Sequence, residues 1–432
     1  MRIKCHVSQI RCLFTKIMII FAATNSNLIE TIFPKAMPTN QATLQFIRQH
    51  AGDDVRKLAL AGNREADVDL PFALEQIAGR QKAVLKIPSW AAVEGIIYPP
   101  HLSLEQCSSE QTARYKAGIA GEGERFVDLT AGFGVDCAFI SSRFQRAVYV
   151  EQQPQLCAIA SENFRNLGLT NIETVCGNGV DYLHALDHTD LLFIDPARRN
   201  EHGGRTYGIA DCTPNVLEIL DEMLEKANKV MIKLSPMLDW RKAVTDLGEQ
   251  WVREVHIVSV DNECKELLLI LAKEESPLKV VCVNLGRGAD DGEVFEYVPS
   301  EEREECMLST DTFRFLYEPN ASIMKAGCFE LIARRFGVSQ LDRNSHLFVS
   351  DIEIKDFPGR RFTIERVTSM NKRELRDTMV GITQANIAVR NFPMTVDALR
   401  KRLKLRDGGD VFIFATTVAR QGHLLFVCRK KS

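Results

Sequence analysis

Seven short apolar runs separated by helix-length segments fill the middle of this chain, and no other feature narrows its possible folds so far. The runs are Arg125 to Leu129, Arg146 to Val150, Ile172 to Val175, Leu191 to Ile194, Lys229 to Leu234, Glu254 to Val260 and Glu266 to Ala272. Several are apolar at consecutive positions rather than alternate ones, so both faces of the sheet they build must be covered. Strands alternating with helices predict an α/β fold with parallel strands and crossover helices. Between the first two runs Cys137 to Phe144 reads as a helix. Pro154 to Leu167 reads as another, with Leu156, Ile159, Ala160, Phe164 and Leu167 at helical spacing.

At 432 residues the chain exceeds one ordinary core and predicts two or three folded units. Residues 38–103 read as a helical N-terminal unit, with Leu44, Ile47, Val55, Leu58, Phe72, Leu74 and Ile77 on its apolar faces. Residues 1–37 carry four early cations and an apolar run from Ile17 to Ala23, too short to span a bilayer. They are expected to be non-structural, with Met37 as the effective start. After Ser276-Pro277 the pattern changes to short strands and helices, predicting an α+β region. Within it, Ala321 to Phe336 reads as one helix and Val411 to Val418 with Leu424 to Cys428 as a hairpin. The net charge is only -3, but residues 355–406 hold thirteen Lys or Arg against five acids. A basic stretch of that size inside a balanced chain is either a solvated face or a surface for a polyanion.

The chemistry concentrates at the ends of the first four runs. Phe126-Val127-Asp128-Leu129-Thr130-Ala131-Gly132-Phe133-Gly134-Val135-Asp136 is a strand entering a glycine-bearing loop that opens a helix. Open α/β sheets bind ligands at the carboxyl ends of their strands, and glycines let a ligand approach the backbone. Asp128 is placed for a cationic group, Glu151 after the second run for ribose hydroxyls, and Asn178 after the third for an adenine edge. The fourth run ends in Asp195-Pro196-Ala197-Arg198. A dinucleotide fingerprint would need a third glycine where Cys137 stands. Twelve cysteines occur without any C-x-x-C pair, which reads as scattered reduced thiols of a cytoplasmic protein. His184 and His188 lack the further ligands of a zinc motif, so no metal is expected.

In this order the motifs resemble those of class I S-adenosylmethionine-dependent methyltransferases, over about residues 104–275. The resemblance implies a Rossmann-like seven-stranded sheet and S-adenosyl-L-methionine as cofactor. It implies a cofactor set of Asp128, Thr130, Ala131, Gly132, Gly134, Asp136, Glu151 and Asn178, with Gln106 on the preceding helix, and Ser109 and Thr112 as weaker contacts there. Asp195-Pro196 stands where amino-methyltransferases of this fold carry D/N-P-P-Y/F. The resemblance implies that the acid and a proline carbonyl accept hydrogen bonds from an exocyclic amine. Here Ala197 and Arg198 replace the second proline and the aromatic, so Asp195, Pro196 and Arg198 are the expected reaction residues, with Arg198 stacking or gripping phosphate. Lys233, near another strand end, reads as a solvated lysine.

Residues from about 279 to 430, with Arg390-Asn391-Phe392-Pro393 and the run Leu399 to Gly409, resemble the ferredoxin-like and THUMP-like appendage of some bacterial methyltransferases. The ferredoxin-like part is expected at 278–320 and the THUMP-like part at 321–432. THUMP modules hold substrate RNA, so Arg400, Lys401, Arg402 and Lys404 are expected to meet the phosphates of tRNA or rRNA. Two other readings stand beside RNA methylation: a non-catalytic RNA-binding protein with a vestigial domain, and a methyltransferase for proteins or small molecules.

Overall fold

The computed structural model describes residues 40–62, 67–198, 208–286, 292–302, 308 and 313–431. The expected leader and the start at Met37 lie outside the described residues. By contacts along the chain the structure divides into two compact units, residues 1–253 with 268–275, and residues 254–267 with 276–432.

In the first unit, helices α1 (Gln41–Gln49), α2 (Val55–Ala61), α3 (Leu70–Lys86), α4 (Pro88–Ala91), α5 (His101–Gln106) and α6 (Glu110–Ile119) precede the sheet. Each of α1, α2, α3 and α6 is capped as its sequence dictates: Asn40, Asp54, Asp69 and Ser109 accept hydrogen bonds from the first-turn amides. The sheet follows as β1 (Gly123–Asp128), α7 (Val135–Ser141), β2 (Phe144–Glu151), α8 (Pro154–Asn166), β3 (Ile172–Cys176), α9 (Gly179–Ala185) and β4 (Thr189–Ile194). A two-stranded ribbon, β5 (Ala197–Arg198) with β6 (Cys212–Thr213), comes next, then α10 (Val216–Lys226), β7 (Ala227–Leu234) and α11 (Trp240–Leu247). The hairpin strands β8 (Val252–Val260) and β9 (Glu263–Leu271) contribute residues to both units. Asp261 and Asn262 between them both take positive φ, 50° and 65°, as a two-residue hairpin turn requires.

All seven expected strands form. The order in the first unit is β9-β7-β4-β1-β2-β3, and β7, β4, β1, β2 and β3 run parallel, so their carboxyl ends share one edge. Phe126, Phe193 and Tyr149 are fully or almost fully buried in one core with Ala83 and Trp90 from the N-terminal helices and Ile87 and Tyr98 from the connections between them. Those helices therefore fold with the sheet and are no separate unit.

In the second unit, β10 (Lys279–Leu285) pairs parallel with β8, and β11 (Glu293–Tyr297) pairs antiparallel with β10. The sequence places these two strands in a separate ferredoxin-like unit at 278–320. The structure instead gives them to β8, because Val280 to Val283 is a continuous apolar run that must be buried on both faces. A seven-stranded sheet follows, with β12 (Phe315–Pro319), β13 (Ser339–Gln340), β14 (Phe348–Ser350), β15 (Gly359–Ser369), β16 (Asn386–Arg390), β17 (Val411–Val418) and β18 (Gly422–Lys430). Its order is β13-β14-β12-β15-β18-β17-β16. Alternate residues of β17 and β18 enter two cores: Phe414, Phe426 and Cys428 on one face, Ile413, Ala415, Leu425 and Val427 on the other. Its helices are α12 (Ala321–Ala326), α13 (Phe329–Phe336), α14 (Lys372–Thr378) and α15 (Val396–Leu403). The single helix expected over Ala321 to Phe336 is two, because Gly327 takes φ 77° and closes the first with a left-handed cap. Among the described residues no helix is long and apolar enough to cross a membrane.

Candidate active site

The parallel register brings Asp128 level with Tyr149 and Phe193, and Glu151 level with Cys176, so the loops leaving β1, β2, β3, β4 and β7 meet at one edge. The β1 loop is tied down from both sides. Ala131 N–H donates to the Val150 carbonyl at 3.0 Å, Gly132 N–H to Glu151 Oε2 at 3.0 Å, and the Tyr149 hydroxyl to the Gly132 carbonyl at 2.6 Å. Thr130 Oγ1 accepts from the Asp195 N–H at 2.7 Å, joining the first loop to the fourth.

The two loop glycines do different work. Gly132 has φ 54°, and a Cβ there would meet nothing within 4 Å, so this backbone borders open space. Gly134 has φ 89°, and its Cβ would stand 2.8 Å from Phe164 Cζ. The second glycine thus serves helix packing and turn geometry.

Asp128 is 1% exposed; its Oδ1 accepts the Thr130 N–H at 3.1 Å, while Oδ2 is buried without a hydrogen-bond partner among the described residues. Burial pushes its carboxyl well above the usual range; the Thr130 N–H and the Lys233 ammonium oppose the shift, and the Asp136 and Asp195 carboxylates add to it. A buried acceptor left unpaired is costly and fits a ligand donor. The cationic amine of an amino-acid moiety is such a donor. Open space at Gly132 and the Glu151 carboxylate beside it complete a cradle whose donor and acceptor groups match those of S-adenosylmethionine. Glu151 accepts from Gly132 N–H and Gln153 N–H with its two oxygens, so the acid expected to meet ribose hydroxyls also shapes the β1 loop.

Beneath this cradle lies a buried charge cluster. Lys116 is completely buried, with Nζ 3.2 Å from Asp136 Oδ1 and 3.1 Å from the Ser108 hydroxyl, which donates to Asp136 Oδ2 at 2.7 Å. Lys233 Nζ lies 2.5 Å from Asp195 Oδ2 and 3.7 Å from Asp136 Oδ2. Burial alone would raise the Asp136 carboxyl; the Lys116 and Lys233 ammoniums and the Ser108 hydroxyl outweigh it and hold it below its ordinary value. Lys233 is therefore no solvated lysine but the cation that links the first and fourth strand ends. Asp195 keeps 37% of its side chain exposed, and Pro196 beside it is buried.

Asn178 is exposed at the same edge, where its Oδ1 caps α9 by accepting from Val180 N–H at 2.8 Å and Asp181 N–H at 3.3 Å. Its neighbour Gly179 is obligatory, since a Cβ would lie 2.1 Å from the Leu129 carbonyl oxygen. Gln106 is exposed at the end of α5, and the residue of that segment bound to the site is Ser108. Ser109 and Thr112 bond to each other as an ordinary helix cap. Arg198 ends β5, and its side chain lies outside the described residues. His184 and His188 are partnered separately, by Glu222 and Asn228.

Sequence reasoning missed Lys116, Ser108 and Gly179. Lys116 left a signal, because it falls on the buried stripe of α6 with Thr112, Ala113 and Ala117. A lysine on an apolar face needs a partner.

Two domain families match the C-terminal part: a ferredoxin-like domain over residues 315–358 and a THUMP domain-like family over 359–430. The ferredoxin-like stretch thus begins at β12, not at residue 278. An uncharacterized S-adenosylmethionine-dependent methyltransferase of Mycobacterium tuberculosis is 26% identical over 333 residues, spanning 76% of this chain and 87% of that protein. Ribosomal RNA small subunit methyltransferase J of Legionella pneumophila is 23% identical over 124 residues, 27% of this chain and 51% of that protein. A solved structure from Porphyromonas gingivalis W83, provisionally named a methyltransferase, superposes with a TM-score of 0.81 at 30% identity, covering 90% of this chain and 98% of that one. With the sheet, the strand-end acids and the two C-terminal domains all in place, the chain belongs to the family of S-adenosylmethionine-dependent methyltransferases that carry a ferredoxin-like and a THUMP-like domain behind the catalytic one.

Proposed function

We propose that this enzyme methylates RNA, with an exocyclic amine of a tRNA or rRNA base as the acceptor. The observation that carries the reading is the difference among the acids at this edge of the sheet. Asp128, Asp136 and Glu151 are buried, whereas Asp195 is more than a third exposed and held by Lys233 at 2.5 Å. Asp195 is the acid an incoming acceptor can reach.

Asp128 would hold the cationic end of S-adenosylmethionine, the Gly132 backbone would border it, Glu151 would take the ribose hydroxyls, and the Asn178 amide would face the adenine. When bound, the donor supplies an electrophilic methyl group on its sulfonium. The protein's own part is positioning. Thr130 fixes the Asp195 backbone at 2.7 Å and Lys233 fixes its carboxylate. An amine that gives its N–H to Asp195 has its lone pair turned out of conjugation toward the methyl carbon, and after transfer the carboxylate can take the amine's proton. Such alignment supplies much of the rate in reactions of this kind.

RNA as substrate is supported by the THUMP-like match, by the partial likeness to an rRNA methyltransferase, and by the exposed cations Lys401, Arg402 and Lys404 on and after α15. Arg400 contributes less than its sequence suggests, because its guanidinium is paired with Asp407 at 2.5 Å and Asp397 at 3.5 Å. The test is transfer of labelled methyl groups to total RNA from a deletion strain, followed by nucleoside mass spectrometry. Asp195→Ala should cut turnover roughly a hundredfold or more while donor binding persists. Label in protein rather than RNA would exclude the RNA reading.

A further inference from the structure

A cavity among the described residues is lined by residues of the second unit alone. It encloses about 250 Å³, and its lining includes the cations Lys355, Arg360, Arg361, Lys430 and Lys431 together with Asn262, Asn284, Glu293 and Asn320. The strand register puts the cations there. Arg360 and Arg361 on β15 stand opposite Glu318 and Tyr317 of β12, and Lys430 on β18 stands opposite Phe362.

The charges do not cancel. Glu293, the one carboxylate in the lining, is taken up by amides: its Oε2 accepts from Asn320 Nδ2 at 3.0 Å and Asn284 Nδ2 at 3.4 Å. Glu318, 2% exposed, is shared by two guanidiniums, Arg360 Nε at 2.7 Å and Arg390 at 2.9 Å, so it neutralises one of them. Lys431 reaches Glu353 at 3.3 Å. Lys355 and Lys430 are exposed and take part in no ion pair among the described residues. A concave site rimmed by the ammonium groups of Lys355 and Lys430, with guanidinium groups beside them, focuses positive potential, and the planar, forked guanidinium matches phosphate oxygens.

We infer that this cavity is a phosphate-binding site, sized for one phosphate with its sugar, that takes a phosphodiester of the substrate RNA. The RNA reading decides only the source of the phosphate; the site itself rests on the cavity.

The experiment uses the full chain with two probes, inorganic phosphate followed by ³¹P NMR titration and a fluorescein-labelled 20-nucleotide single-stranded RNA of mixed sequence followed by anisotropy. The double variant Lys355→Ala/Lys430→Ala should weaken both probes by about tenfold and lower the slope of log affinity against log salt for RNA by about 0.7, the loss of one neutralised phosphate. The charge-matched control Lys242→Ala/Lys265→Ala should change neither. Weakened phosphate with unchanged RNA binding would keep the site and assign it to a free phosphate-bearing small molecule. Phosphate binding in a chain that binds no RNA would sink the RNA reading and leave the cavity standing. No phosphate binding by the unaltered chain, or the same affinity in the double variant, would overturn the inference.

Discussion

At the carboxyl edge of the parallel sheet charge is buried and paired, whereas on α15 and the residues after it charge stands in water. Lys116 is wholly buried against Asp136, and Lys233 ties Asp136 to Asp195. Lys401, Arg402 and Lys404 are exposed. Buried pairs cost desolvation and return fixed geometry, which suits a small donor and an acceptor atom that must be aligned. Exposed cations fix little but add long-range attraction that salt screens, which suits a long polyanion read by its backbone. The first region can be broken by one substitution; the second should only be worn down.

The largest effect is expected at the buried pair. Asp136→Ala leaves the Lys116 ammonium without its carboxylate in a fully buried place and should cost roughly 3–5 kcal/mol of stability, read by urea unfolding. Replacing both partners by apolar residues, Lys116→Met with Asp136→Leu, should recover much of that loss while donor binding stays impaired. A single variant as stable as the parent would show that the cluster does not hold the edge together.

Asp128→Asn comes next. Removing the charge that would meet the donor's ammonium should weaken S-adenosylmethionine binding by about 1.5–3 kcal/mol, roughly tenfold to a hundredfold by calorimetry. Burial raises the Asp128 carboxyl in the folded chain, so folding takes up a proton between the ordinary carboxylate range and the raised value, and this group's contribution to stability falls as pH rises through that window. Donor binding favours the charged form, so affinity should rise with pH across the same window and a proton should be released on binding. The asparagine variant should lose both dependences. Asp136 has the opposite sign: its carboxyl is held low, and its contribution is lost as pH falls through the lowered value.

Local signals were sufficient where they coincided with the tertiary need. The seven apolar runs became strands because burial on both faces demands continuous apolar sequence, and Asp128, Glu151 and Asp195 met at one edge because parallel strands bring all their carboxyl ends together. The roles of Gly134, Gly179 and Lys233 were hidden because each depends on a residue distant in sequence: Phe164, the Leu129 carbonyl and Asp195. The same limit explains β10 and β11. Their sequence predicts strands, but nothing local says which neighbour they pair with, and β8 supplied the unsatisfied edge. In the second unit β15, an eleven-residue strand with Arg360, Arg361 and Arg366, was read only as part of a basic stretch, because charges at that density mask its alternation.

A smaller effect is expected at Asn178, where Asn178→Ala removes the cap that α9 takes from Oδ1 and should cost about 1 kcal/mol of stability. If Asn178 also meets the adenine, donor affinity should fall in the alanine variant, yet Asn178→Asp, which keeps the cap, should show the affinity loss without the stability loss. Equal affinity in the aspartate variant would leave Asn178 a cap and nothing more.

The smallest effect sharpens the comparison most. Lys401→Ala with Lys404→Ala removes two exposed cations that form no ion pair among the described residues, so stability should move by less than about 0.5 kcal/mol. Lys404 caps α15 in the left-handed conformation with φ 56°, so Lys404→Asn, which tolerates that conformation, serves as the control for any backbone strain in the alanine variant. RNA affinity should fall modestly and equally for unrelated sequences, with the slope of log affinity against log salt reduced by about 1.4. Sequence-dependent loss, or none in the slope, would mean that these lysines do not touch phosphate and that α15 is a solvated face.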